Sequence, residues 1–188
     1  MPESSPTIRE GDLDFSADAS WSIFRHWDTE PVRLALRDQV PGSRGVDLLG
    51  VRDDAKSVYL IEVKDYRSSE DLGSTRQKLA DAGRDLAEIV ACKARDTVAG
   101  LIGAARHGRD DAWKITRAAL AEKLWIVLWI EHAGLTARGS VRDRRGNVEA
   151  VVLKRSIVRR CRWLDAQVEV CSRDGASLPG LTVTSIAG

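Results

Sequence analysis

Residues Leu124-Trp125-Ile126-Val127-Leu128-Trp129-Ile130 form an unbroken apolar run. Successive side chains of a strand point to opposite faces, so a strand that is apolar at every position has two faces to hide. Such a run belongs at the centre of a sheet covered on both sides, and helices are the expected covers. It is far shorter than the roughly 20 residues a membrane-spanning helix needs, so no membrane association is expected.

The segments around the run supply those helices. Over residues 75–106, Leu79, Leu86, Ile89, Val90, Val98, Leu101 and Ile102 recur at steps of three and four, which predicts one long helix with one buried face and a possible break at Gly100 or Gly103. Residues 148–164 read as another helix, with Val151, Val158, Cys161 and Leu164 turned inward and Arg155, Arg159 and Arg162 on the opposite face. A further helix is expected over residues 113–123, and a short one over residues 30–37, with Thr29 as its cap and Pro41-Gly42 beyond its end. Residues 167–172 and 181–186 read as short strands. Residues 12–27 read as a strand pair or as a strand with a turn, and their Trp21, Phe24 and Trp27 are expected in the core. Residues 1–11 read as a loose tail, residues 68–74 as a polar loop, and residues 134–146 as a basic, glycine-containing loop.

Chemistry concentrates in Gly45-Val46-Asp47 and Tyr59-Leu60-Ile61-Glu62-Val63-Lys64-Asp65. Residues 47–51 and 58–64 read as antiparallel strands joined by the polar stretch 52–57. If Val51 faces Val58, stepping outward brings Asp47 opposite Glu62. The period of two then places Glu62, Lys64 and Asp47 on one face, with the paired Cβ atoms about 5 Å apart. Two carboxylates so close repel unless a positive charge sits between them. Mg²⁺ suits this need, since it takes oxygen ligands and is commonly held by one or two carboxylates with water and substrate phosphate completing the shell. Glu-x-Lys also occurs on solvated sheet faces, where the same charges simply meet water.

The pattern Gly45-Val46-Asp47 followed by Ile61-Glu62-Val63-Lys64 resembles the PD-(D/E)XK nuclease superfamily. The resemblance implies a restriction-endonuclease-like α/β fold, a single domain over residues 1–188 with a mixed central sheet flanked by helices. It implies a catalytic trio of Asp47, Glu62 and Lys64. The metal ligands would be Asp47, Glu62 and the backbone carbonyl of Val63, and the ion Mg²⁺, with Mn²⁺ as a substitute. Val46 stands where the family often has proline. The resemblance also suggests Gln77, on the long helix, as a residue beside the site, and Asp28 or Glu30 as an additional acid. It implies hydrolysis of DNA in a restriction, repair or defence setting; the alternative is a catalytically silent subunit of the same fold that binds nucleic acid or protein. The expected segment order matches the family core only if a third early strand is supplied.

With 188 residues, 43% hydrophobic and 30% charged, the chain has the composition of an ordinary globular protein with one core. Cys92, Cys161 and Cys171 are odd in number and widely spaced, which argues against a disulfide framework and against a zinc site. The first residues, Met-Pro-Glu-Ser-Ser-Pro, lack the features of a secretory signal, so a cytoplasmic location is expected. The net charge is only +1 but unevenly spread: Arg138, Arg142, Arg144, Arg145, Lys154, Arg155, Arg159, Arg160 and Arg162 face only Asp143 and Glu149 in the same segment. Such a patch can neutralise phosphates, so DNA is the expected partner, through Arg155, Arg159, Arg162 and the loop from Arg138 to Arg145. A protein partner or a homodimer is also compatible. His26, His107 and His132 are scattered, and Lys93, Arg95 and Asp96 read as a solvated stripe or a partner surface.

Overall fold

A computed structural model describes residues 6–54, 56–67, 72–107, 116, 123–131 and 141–186; the side chains of residues 31, 32, 35, 36, 72–85 and 141–149 lie outside that description. The chain runs β1 (Thr7–Glu10), β2 (Leu13–Ala17), β3 (Trp21–His26), α1 (Pro31–Gln39), β4 (Leu48–Arg52), β5 (Ser57–Asp65), α2 (Leu72–Arg106), β6 (Lys123–Glu131), α3 (Val141–Cys161), a 3₁₀ turn (Arg162–Leu164), β7 (Gln167–Cys171) and β8 (Leu181–Ser185). The protein is therefore mixed α/β. Five strands form one sheet in the order β3-β4-β5-β6-β7, and β1-β2-β8 form a second.

In the larger sheet β3, β4 and β5 are antiparallel, while β5-β6 and β6-β7 are parallel. Parallel neighbours require crossover connections, and α2 and α3 lie in those two connections. Strand β3 lies beside β4 in this sheet, although α1 separates the two in sequence.

The apolar run lies in β6, between β5 and β7, as its two hydrophobic faces require. Its covers differ from those expected. Ile126, Leu128 and Ile130 pack in one core with Leu86, Val90, Ala94 and Leu101 of α2 and Leu153, Ile157 and Cys161 of α3. Val127 and Trp129 pack in a second core with Leu13, Phe15 and Leu181 of the small sheet. Phe15 meets Trp129 edge-on at 5.5 Å between ring centres. A doubly apolar strand specifies burial on both sides, and a sheet satisfies that as well as a helix does.

For residues 7–10 the small sheet also overturns the expectation of a loose tail, residues 1–5 lying outside the described residues. Thr7–Glu10 pairs with Leu13–Ala17 around Gly11, whose φ of +58° suits the turn. Ile8 is buried, and Arg9 Nε lies 3.0 Å from Asp14 Oδ1 across the hairpin. Residues 12–27 are a strand pair, but β2 and β3 belong to different sheets. Trp21, Phe24 and Trp27 are core residues as expected.

Helix α2 is continuous from Leu72 to Arg106, through Gly100 and Gly103, and begins within the expected polar loop. Leu86, Val90 and Leu101 are buried, whereas Ile102 is exposed and Ile89 only half-buried. Helix α3 begins at Val141, inside the expected basic loop. Its inner stripe is Leu153, Ile157 and Cys161, with Leu164 packed beside it; Val151 and Val158, expected inward, are 47% and 44% exposed. The expected helix over residues 113–123 lies outside the described residues apart from Thr116, which is helical, and Lys123, which opens β6. No helix among the described residues is long and apolar enough to cross a membrane.

Candidate functional site

The hairpin register pairs Val51 with Val58 and Leu48 with Ile61, so one further step sets Asp47 against Glu62. Asp47 stands just before β4, held by its own N–H to the Ile61 carbonyl (3.1 Å) and by its carbonyl, which accepts from the Trp27 N–H (2.9 Å). Along β5, Val58 and Leu60 face α2 and α3 while Tyr59, Ile61 and Val63 face the small sheet. Alternation therefore turns Glu62 and Lys64 toward the helices.

There the three predicted side chains come together with a fourth, Lys93, expected on a solvated stripe or a partner surface. The Val63 N–H donates to Asp47 Oδ2 at 2.7 Å. Lys64 Nζ donates to Glu62 Oε1 at 2.5 Å and to the Val63 carbonyl at 3.0 Å. Lys93 Nζ, reaching across from α2, donates to Asp47 Oδ1 at 3.0 Å and lies 2.8 Å from Glu62 Oε2. The two carboxylates thus converge on one ammonium. Glu62 is fully buried, and the Asp47 side chain is only 11% exposed.

Helix α2 is fixed at this depth by contacts to the segment leading into Asp47. Thr97 is buried one turn after Lys93; its Oγ1 donates to the Lys93 carbonyl (2.8 Å) and accepts from the Val46 N–H (3.1 Å). Asp96 Oδ2 accepts from the Arg44 N–H at 2.8 Å. On its other side this segment is crowded by Trp27 and by Arg33 of α1, and Gly45 makes room for them, since a Cβ there would lie 2.7 Å from the Trp27 ring and 2.6 Å from Arg33 Nε.

Burial, and next the Asp47 carboxylate, push the Glu62 carboxyl above its ordinary range against the pull of Lys64 and Lys93. Burial draws the Lys93 ammonium downward, but Glu62 and Asp47 together leave it above the usual lysine value. Two further acids lie in the same field. Asp28 is raised by burial, with Lys93 opposing and Asp47 reinforcing the shift. Glu10, on β1, is raised by burial and then by Asp47, and its Oε2 lies 3.4 Å from His26 Nδ1. Of the two candidates for an additional acid, Asp28 is in electrostatic reach of the site, whereas Glu30 pairs with Arg25 at 3.2 Å. Glu10 is hidden by the expectation of a tail; the alternation around Ile8 is its available signal.

The side chains of Gln77, Arg142, Arg144 and Arg145, and all of Arg138, lie outside the described residues. Arg155, Arg159 and Arg162 are exposed on the side of α3 and its 3₁₀ turn away from the buried stripe, in company with Trp163, which is 62% exposed. Arg67 is engaged by Asp65 and Ser185.

Among the described residues no three His, Cys, Asp or Glu side chains form a ready-made metal cluster. The smaller set of Asp47 Oδ1, the Glu62 carboxylate and the Val63 carbonyl consists wholly of oxygen donors, each already facing an ammonium. A hard divalent cation with waters completing its shell fits such a set.

No protein-family model matches the chain, and searches of curated proteins and of solved structures likewise give no match.

Proposed function

We propose that this protein is a metal-dependent nuclease of the PD-(D/E)XK kind that hydrolyses DNA phosphodiester bonds, with a restriction, repair or defence setting as its context. The observation that carries this reading is the convergence of Asp47 and Glu62, from adjacent strands, on a single cation, with Lys64 beside Glu62 on the same face. The mixed sheet, with an antiparallel β3-β4-β5 unit followed by a helical crossover to parallel β6, is compatible with a restriction-endonuclease-like fold.

Asp47, Glu62 and the Val63 carbonyl would hold Mg²⁺ or Mn²⁺. When bound, the ion would lower the pKa of a water and polarise a phosphoryl oxygen. Asp47 is oriented by the Val63 N–H on its Oδ2, so its Oδ1, which faces the Lys93 ammonium, would be the oxygen offered to the ion. Lys64, 28% exposed at the side chain, is placed to orient the attacking water or to stabilise charge on the phosphoryl oxygens. Arg155, Arg159 and Arg162 would contact DNA phosphates.

The test is cleavage of labelled linear, circular and single-stranded DNA with Mg²⁺ or Mn²⁺ by the native chain, Glu62→Ala and Lys64→Ala. Metal-dependent cutting lost in both variants supports the reading. The presence of an ammonium already balancing both carboxylates favours a second reading, a catalytically silent subunit of the same fold. Salt-sensitive DNA retention without cutting would select it.

A further inference from the structure

We propose that Lys93 is a displaceable internal cation: its ammonium fills the space between Asp47 and Glu62 that a divalent ion would take, so metal enters only as the lysine leaves. This rests on the nuclease reading and adds to it a control on metal loading.

Three observations carry it. First, Lys93 Nζ contacts both carboxylates at once, at 3.0 and 2.8 Å, which is the bridging position for a cation shared by two acids. Second, Glu62 has no exposed surface, and its Oε2 faces the Lys93 ammonium. An ion cannot reach that carboxylate while the ammonium stays. Third, the lysine itself reaches solvent: its side chain is 17% exposed, whereas Glu62 has no exposed surface.

The benefit of such an arrangement is electrostatic. Two unpaired carboxylates in a desolvated site repel strongly, and an internal ammonium keeps them in the folded arrangement without metal. The cost is competition: if the lysine occupies the site most of the time, apparent metal affinity falls by the fraction of molecules left competent. Nine-tenths occupancy corresponds to about a tenfold loss.

The experiment is calorimetric titration of the full chain with Mn²⁺, comparing the native protein with Lys93→Gln and Lys93→Met. Alongside it, the labelling rate of Lys93 by an amine-reactive reagent is followed by mass spectrometry with and without saturating Mn²⁺. Expected are about tenfold tighter binding in the variants and faster labelling of Lys93 in the metal-loaded native chain, with half-buried Lys154, which pairs with Glu169 away from the site, unchanged. Native binding that the variants match or weaken, with Lys93 labelling unmoved by Mn²⁺, would overturn the displacement while leaving the nuclease reading intact. Absence of Mn²⁺ binding in native and variant chains alike would overturn both. If the variants fail to fold, labelling of the native chain decides: a rise with Mn²⁺ supports displacement and no rise refutes it.

Discussion

Replacing Thr97 by Val isolates one of the contacts that join α2 to the segment carrying Asp47. The substitution keeps the branched shape and removes one hydroxyl, which makes two hydrogen bonds of unequal consequence. The bond to the Lys93 carbonyl, 2.8 Å away, runs back along the same helix, and that carbonyl retains its place in the helical ladder. The bond from the Val46 N–H, at 3.1 Å, has no such reserve. Val46 is fully buried, so its amide would be left without a partner and away from water. An orphaned buried donor costs about 1–3 kcal/mol, and for a chain of this size each kcal/mol lowers Tm by about 2–4 °C. Urea unfolding followed by tryptophan fluorescence measures the loss. Thr116→Val is the control, because Thr116 is also buried and its hydroxyl donates to the Leu101 carbonyl inside α2 at 2.9 Å, leaving no orphaned amide when removed. A Thr97→Val loss no greater than that of Thr116→Val would refute the reasoning.

Glu62→Gln should alter the pH dependence of stability. A carboxyl raised above its ordinary 4.5 supports the fold below that pH and loses this support as pH climbs through its elevated value; the Tm difference, variant minus native, should therefore rise as pH increases from 4.5, and a flat or falling difference would sink the assignment. Gly50→Ala should destabilise by about 1–3 kcal/mol, because a Cβ there would lie 2.3 Å from the Trp21 ring; denaturant unfolding with no shift in midpoint would contradict this. Replacing Arg155, Arg159 and Arg162 together with alanine should leave stability within about 0.5 kcal/mol but flatten the salt dependence of DNA retention by about one unit of slope for each phosphate no longer neutralised. An unchanged slope in a filter-binding titration would remove these arginines from the interface.

Much of the site is legible in the sequence because hairpin register is local. Val51, Val58 and strict alternation suffice to bring Asp47 and Glu62 together, whatever the rest of the chain does. Lys93 is not legible, since its role depends on how deeply α2 lies across the sheet, which Thr97 and Asp96 set through hydrogen bonds with Val46 and Arg44. The phase of the helix holds a hint: Lys93 sits beside the buried positions Val90, Ala94, Thr97 and Leu101. In α3 two stripes compete, Val151 with Val158 and Leu153 with Ile157 and Cys161, and packing against α2 and β7 chooses the second. The second cover of β6 is invisible because its strands lie at opposite ends of the sequence, in β1, β2 and β8.

That separation has a consequence for how the chain is made. Leu13–Ala17 cannot complete its pairing until Leu181–Ser185 has been synthesised. While the ribosome adds the intervening residues, β2 keeps an open hydrogen-bonding edge, and Leu181, which packs in the core containing Trp129 and Ile61, is still missing. An open edge beside apolar surface is a template for pairing with another chain. The nascent chain therefore carries this unpaired edge until Leu181–Ser185 is made, although Asp47, Glu62, Lys64 and Lys93 of the carboxylate site on the opposite face of the sheet are all synthesised well before it.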